Sequence, residues 1–274
     1  MTKKRKLILA ICITLSVAIL ATSLYLFLHV LPEYKKQREW QLAVQQYYQN
    51  KVATYEQENK LYEDYEVDVA FLGDSLTDGY DLAQYYPQFK TVNRGIGGDT
   101  TFGLEQRLQV SAYDLKPKVV VMLIGANNFK TMFENYENIV KGLKTNLPDT
   151  KLVLLSLTSM SMNWGRNNEL ACFNNVKIKI IAEKYGCEYV DLFTPLFDFE
   201  ANELRAEYTV DGGHFTAQGY EVLTQTITPV LETLLSKYPP QTKKSRSKQQ
   251  KKQPLWKIPQ RLFSFNQICL RAIQ

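Results

Sequence analysis

The chain has 274 residues, 45% hydrophobic and 12% aromatic, enough to bury one full core with segments left over. Its formal net charge of +5 conceals a split: four positives lie in Lys3–Lys6, ten more follow Glu232 with no acid among them, and without these two groups the remainder carries −9. An acidic body excludes a nucleic-acid-binding core. From Leu7 to Leu31 there is no Asp, Glu, Lys or Arg, and His29 is the only strongly polar residue. A membrane-crossing helix needs roughly 20 apolar residues, so this run suffices with some tilt. The Lys3–Lys6 cluster predicts a cytoplasmic N-terminus with the rest of the chain outside. A cleaved signal peptide, the competing reading, would have a shorter apolar region of about 7–15 residues. Its cleavage site would be Ala21-Thr22-Ser23, and a lipoprotein is not expected because no suitable cysteine follows. A single-pass, uncleaved anchor in the cell membrane is the expectation, with a polar, glycine-free stalk over residues 32–66. Trp40, Val44, Tyr47, Tyr48, Ala53, Tyr55, Leu61 and Tyr62 recur there at loosely helical spacing. Tyr and Gln dominate that seam, which argues against a coiled coil.

Beyond the stalk, strand and helix signals alternate, the pattern of a parallel sheet with helices on both faces. Strands are expected at Val67–Leu72, Thr91–Arg94, Lys118–Ile124, Lys151–Leu157 and Glu188–Phe193. Helices are expected at Thr101–Ser111, around Phe133–Leu147, at Glu169–Tyr185 with Leu170, Phe173, Ile180 and Ile181 inward, and at Thr216–Tyr238 with Thr216 as N-cap. The first strand runs into Gly73-Asp74-Ser75. Alone, Gly-Asp-Ser is ordinary turn chemistry. The second strand ends in Gly95-Ile96-Gly97-Gly98-Asp99-Thr100-Thr101 and the third in Gly125-Ala126-Asn127-Asn128, and in an open sheet such ends face the same way. That brings Ser75, Gly98 and Asn127 to one crevice. A serine hydroxyl needs a base to take its proton. The chain has two histidines, and His29 lies in the apolar segment, so His214 in Asp211-Gly212-Gly213-His214 is the only imidazole available. Asp211, three residues earlier on a tight loop, can hold its ring. One available histidine and scattered cysteines make no metal-ligand cluster, and no cofactor is implied.

Gly73-Asp74-Ser75-Leu76, Gly98, Gly125-Ala126-Asn127 and Asp211 with His214 resemble, in order and approximate spacing, the four blocks of the SGNH or GDSL hydrolases. The runs Gly95–Thr101 and Lys116–Val121 leading to Asn128 look like the platelet-activating-factor acetylhydrolase branch. Asn128 stands where many members have Asp, as in that branch. The resemblance covers about Val67–Tyr238 and implies a three-layer, flavodoxin-like α/β domain with a five-stranded parallel sheet. It implies that Ser75 attacks an ester carbonyl, His214 moves the proton and Asp211 orients His214. The oxyanion would be held by the N–H groups of Ser75 and Gly98 and the Asn127 amide. Asp74 is expected to brace the turn.

The branch resemblance favours small acyl groups, acetyl above all, on a glycan hydroxyl or lysophospholipid, with Trp164, Asn163 and Tyr208 as candidate pocket walls. An O-acetyltransferase would use the same groups, and a non-catalytic surface glycan-binding protein is the reading from another class. Cys12, Cys172, Cys187 and Cys269 form no disulfide framework, and Cys172 and Cys187 are expected to be buried. The organisation is thus an anchor (1–31), a stalk (32–66), a hydrolase-like domain (67–238) and a basic tail (239–274). The tail is expected to be disordered and could bind an anionic surface polymer or lipid headgroups, against the alternative of a solvated extension without function.

Overall fold

The computed structural model describes residues 2–165 and 167–238. The expected tail, with Cys269, lies outside the described residues. The chain divides into two compact units, one ending at Thr54 and one beginning at Tyr55. In the first, helix α1 (Lys3–Tyr25) passes through a π-turn at Leu26–Val30 into α2 (Leu31–Asn59), whose last residues from Tyr55 belong to the second unit. The apolar residues Leu7, Ile13, Leu15, Ile19 and Leu24 of α1 are all exposed. A helix apolar all round needs a non-aqueous surrounding. The described helix Ile11–Asn59 is long and apolar enough to cross a membrane.

The second unit runs in chain order as β1 (Val69–Gly73), α3 (Ser75–Asp78), α4 (Leu82–Tyr85), β2 (Thr91–Gly95), α5 (Thr101–Gln106), β3 (Val119–Leu123), α6 (Phe133–Asn146), β4 (Lys151–Leu155), α7 (Asn168–Tyr185), β5 (Glu188–Val190), α8 (Phe193–Leu196), the short antiparallel pair β6 (Phe197–Asp198) and β7 (Glu203–Leu204), and α9 (Ala217–Leu235). Strands β1 to β5 form one parallel sheet in the order β2-β1-β3-β4-β5. Every residue of β1 and β3 is buried, as the unbroken apolar runs VAFLG and VVVML require of central strands covered on both faces. Alternate side chains divide between two cores. Ala70, Leu72, Val120, Met122, Leu152 and Leu154 pack with α5, α6 and α7. Val69, Phe71, Val119, Val121, Val153 and Leu155 pack with Leu223, Ile227, Leu231 and Leu234 of α9. The result is the three-layer α/β fold, with the carboxyl ends of β1, β2 and β3 adjacent.

Helix starts follow the expected chemistry. Thr216 Oγ1 accepts from Gly219 N–H at 3.2 Å and Asn167 Oδ1 from Leu170 N–H at 2.9 Å, while Gly186 ends α7 in the left-handed region at φ +60°. Two helices depart from the reading above. The helix expected over Thr101–Ser111 stops at Gln106, because Arg107 leaves the helical region at φ −110° and turns its guanidinium inward, and a π-turn occupies Gln109–Tyr113. On α7, Phe173 and Ile180 were expected inward and Cys172 buried, yet all three are exposed, Phe173 and Ile180 at 56%. Ala171, Asn174, Asn175, Ile178, Ile181 and Ala182 take the inner face instead. The two asparagines go inside because their amides satisfy loop backbone: Asn174 donates to Phe129 O, and Asn175 both accepts from Leu157 N–H at 2.7 Å and donates to Leu157 O at 3.0 Å. Hydropathy alone cannot signal such a role. Asn175→Ala strands the Leu157 N–H in the core, while Leu157 O keeps the Ser156 hydroxyl as a donor at 3.1 Å, and is expected to cost about 2 kcal/mol. Urea unfolding should show this as a lower midpoint with an unchanged slope.

Candidate active site

The strand β1 delivers Ser75 through a turn that excludes side chains. A Cβ on Gly73 would lie 2.1 Å from Thr77 Oγ1 and 2.4 Å from Leu123 O. Asp74 caps α3, its Oδ1 accepting from Leu76 N–H at 3.1 Å, and Ser75 is the first helical residue. Tyr220 of α9 donates to Leu76 O at 3.0 Å, tying that turn to the last helix.

The strand β2 ends at Gly95, whose absent Cβ would sit 2.2 Å from Asp78 N, so its exit loop lies directly against α3. Ile96 N–H donates to Gly73 O at 3.1 Å and Gly97 N–H to Asp78 Oδ2 at 3.1 Å. Gly98 follows in the left-handed region at φ +78°, a conformation that favours glycine, and the space where its side chain would stand is open. Among the described residues, the N–H groups of Ser75 and Gly98 have no hydrogen-bond acceptor. Two unsatisfied donors at adjacent loop ends form an anion-seeking concavity. The loop after β3 adds Asn127, whose Nδ2 donates to Asp99 O at 2.8 Å, while Asn128 accepts from Thr101 N–H and donates to Thr101 Oγ1.

The fourth contribution comes from the turn before α9. Asp211 Oδ1 accepts from the N–H groups of Gly213 and His214 at 3.0 and 2.8 Å, which curls the turn and leaves Oδ2 2.7 Å from His214 Nδ1. The other ring nitrogen, Nε2, stands 2.9 Å from Ser75 Oγ. With Nδ1–H donating to the carboxylate, Nε2 is the acceptor for the serine hydroxyl. Burial pushes the Asp211 carboxyl up, but the hydrogen bonds from His214 N–H, the His214 ring and Gly213 N–H outweigh it and hold Asp211 below the usual carboxylate range. It therefore stays ionised at neutral pH. Trp164 packs edge-on against the His214 ring at 5.2 Å, and a Cβ on Gly213 would lie 2.4 Å from the indole. Asn163 stands beside Gly212, whereas Tyr208 packs on the α9 core.

Ser75, His214 and Asp211 are thus brought into one hydrogen-bonded chain. Gly98 lies on the loop bonded to the Ser75 turn, and Asn127 is bonded to the residue after Gly98. A pair that the sequence reading passed over holds these loops together. Arg107 and Asp99 are 3% and 7% exposed and form an ion pair at 2.8 Å. The same guanidinium donates to Arg94 O and Ser111 Oγ at 2.8 Å and to Gly73 O at 3.0 Å. It spans the ends of β1 and β2, immediately behind Ser75 and Gly98. The only sequence signal was an arginine inside a helix where an apolar residue would fit the pattern. Among the described residues, no group of three or more His, Cys, Asp or Glu is placed to hold a metal ion.

Residues 71–222 match the GDSL-like Lipase/Acylhydrolase family. The alpha2 subunit of human platelet-activating factor acetylhydrolase IB is 36% identical over 103 residues, covering 34% of this chain and 45% of that one; the chain thus spans about half the length of the curated relatives it matches. Among solved structures, a candidate platelet activating factor from Streptococcus pneumonia is 25% identical with a TM-score of 0.66, over 72% of this chain and 99% of that one. An acetylxylan esterase from Geobacillus stearothermophilus, at 18% identity and a TM-score of 0.51 over 62% and 95% of the two chains, shares the fold. With more than half its length matched by that family and the four loops assembled as described, this chain belongs to the GDSL-like lipase/acylhydrolase family.

Proposed function

We propose that the chain is a membrane-anchored serine esterase that removes small acyl groups, acetyl in the first instance, from an alcohol on the outer side of the cell membrane. The observation that carries this reading is the unbroken chain Ser75 Oγ, His214 Nε2, His214 Nδ1, Asp211 Oδ2, at 2.9 and 2.7 Å. In the first half-reaction Ser75 Oγ bonds to the ester carbonyl carbon as its proton passes to His214 Nε2. Charge then develops on the carbonyl oxygen, beside the N–H groups of Ser75 and Gly98 and the Asn127 amide. Collapse breaks the bond to the alcohol oxygen, which takes the proton from His214 and leaves an acyl-Ser75. Water, deprotonated by His214, repeats the sequence and releases the carboxylic acid and free Ser75. Asp211 supports the imidazolium formed in each half.

The acetyl preference is supported by the acetylhydrolase relatives, and the alcohol that carries the acyl group is proposed from location: a surface glycan hydroxyl or a lysophospholipid. The apolar N-terminal helix supports membrane attachment, and the Lys3–Lys6 cluster supports an inside N-terminus. The basic segment 239–274 would then lie outside, where anionic polymers or headgroups are its chemical match. The test is acetate release from O-acetylated glycan and from acetylated lysophospholipid by the full chain, with Ser75→Ala as control. Acetate from neither substrate refutes the reading; transfer of acetyl to a glycan hydroxyl in place of water shifts it to an O-acetyltransferase with the same acyl-Ser75.

A further inference from the structure

Three of the four residues from Gly95 to Gly98 are glycine, the exception being the fully buried Ile96. Such a segment has little side-chain packing to fix its backbone, so the aim of the Gly98 N–H depends on where the chain leaves β2. That exit is held from outside the expected hydrolase domain. Tyr55, in the last turns of α2, is 3% exposed and donates its hydroxyl to Gly95 O at 2.5 Å. Its ring lies against the guanidinium of Arg94, whose Cζ is 4.6 Å from the ring centroid. Arg94 is fully buried, with Nη1 paired to Glu58 at 2.5 Å and Nη2 donating to Asn59 Oδ1 at 2.9 Å. Asn59 in turn donates to Val110 O at 2.7 Å. From the other side, Arg107 holds Arg94 O. Two consecutive carbonyls at the end of β2 are therefore gripped, one by α2 and one by the buried arginine.

We infer that Tyr55, supported by Glu58 and Asn59 on Arg94, is a positioning residue for the oxyanion site: the end of the helix that begins in the N-terminal unit sets the loop carrying Gly98. The inference rests on the proposed esterase mechanism and adds to it a part of the chain that touches no substrate. It also accounts for the compact unit starting at Tyr55, twelve residues before the strand expected to open the domain.

The experiment is nitrophenyl acetate hydrolysis by the full chain, with kcat and KM separated, for Tyr55→Phe and Glu58→Gln beside wild type and Ser75→Ala. Tyr55→Phe keeps the ring over Arg94 and removes one hydrogen bond. Because that bond orients a donor used in the transition state, kcat should fall about tenfold with KM unchanged, and the pH profile should keep its shape since His214 and Asp211 are untouched. Glu58→Gln keeps an acceptor for Arg94 on a partly exposed side chain, remains folded, and should lower kcat several-fold in the same pattern. Wild-type kcat in both folded variants overturns the inference, as does a loss shared equally by kcat, KM and the unfolding midpoint. If Tyr55→Phe does not fold, Glu58→Gln decides the outcome alone. Retained activity in Ser75→Ala sinks the esterase reading itself; inactive Ser75→Ala with unaltered Tyr55 and Glu58 variants sinks only this inference.

Discussion

His214→Ala is expected to lower kcat for acetyl ester hydrolysis by at least about 10⁴-fold while leaving KM within a few-fold. The size follows from the absence of an understudy. The only other histidine is His29, on the apolar N-terminal helix, and the site holds no second imidazole. Among the described residues, no lysine or carboxylate is hydrogen-bonded to Ser75 Oγ, whose partner is His214 Nε2 at 2.9 Å. Asp211→Asn tests the other end of the chain. It preserves the shape of the turn but replaces a carboxylate that faces Nδ1 with an amide, which permits the wrong tautomer. Its loss should be comparable, and Asp211→Asn combined with His214→Ala should be no worse than either alone, because residues that act as one unit are not additive. Steady-state rates on nitrophenyl acetate, with Ser75→Ala as the baseline, measure all four. A His214→Ala enzyme that keeps a tenth of wild-type activity would remove the basis for the proposed mechanism.

The parts of this molecule that were legible in its sequence are those where one residue type has one physical use. Alternating β and α signals led to the three-layer sheet because a doubly covered strand has to be apolar throughout, as in VAFLG and VVVML. Gly73, Gly98 and Gly212 marked turns because their sites exclude a Cβ or need positive φ, and the scarcity of histidine pointed to His214. What stayed hidden were polar groups turned inward. Asn174 and Asn175 displace Phe173 and Ile180 from the inner face of α7, since their amides satisfy loop backbone that no periodicity shows. Asp99 lies in a glycine-rich loop and Arg107 in a segment expected to be helical, with nothing in the sequence to mark them as a pair, yet both are buried beneath the site. Tyr55 looked like one more aromatic on a stalk. Its task exists only once Gly95 O is known to need a donor.

Arg107→Met is expected to be the most destabilising single change near the site, by about 3–5 kcal/mol. Methionine fills a similar volume, so the cost is not a cavity. It comes from leaving the Asp99 carboxylate buried without its cation, and from losing the hydrogen bonds that the guanidinium donates to Gly73 O and Arg94 O. The pH dependence identifies which part dominates. In the native chain burial already pushes the Asp99 carboxyl above its ordinary value, against the downward pull of Arg107. Removing that pull raises it further, so the folded variant binds its proton more tightly than the unfolded chain does. A group raised in the folded state contributes stability in full below its unfolded pKa of about 3.9 and loses it as pH rises through the folded value. The Arg107→Met deficit should therefore be largest at neutral pH and shrink as the solution is acidified toward the ordinary carboxylate range. Asp99→Asn should partly rescue the variant at pH 7, because a neutral amide in the same place carries no charge to strand. Urea titrations of wild type, Arg107→Met and the double variant at several pH values measure this directly. A deficit that does not change with pH and is not rescued by Asp99→Asn would assign the cost to the two carbonyls and not to the buried charge.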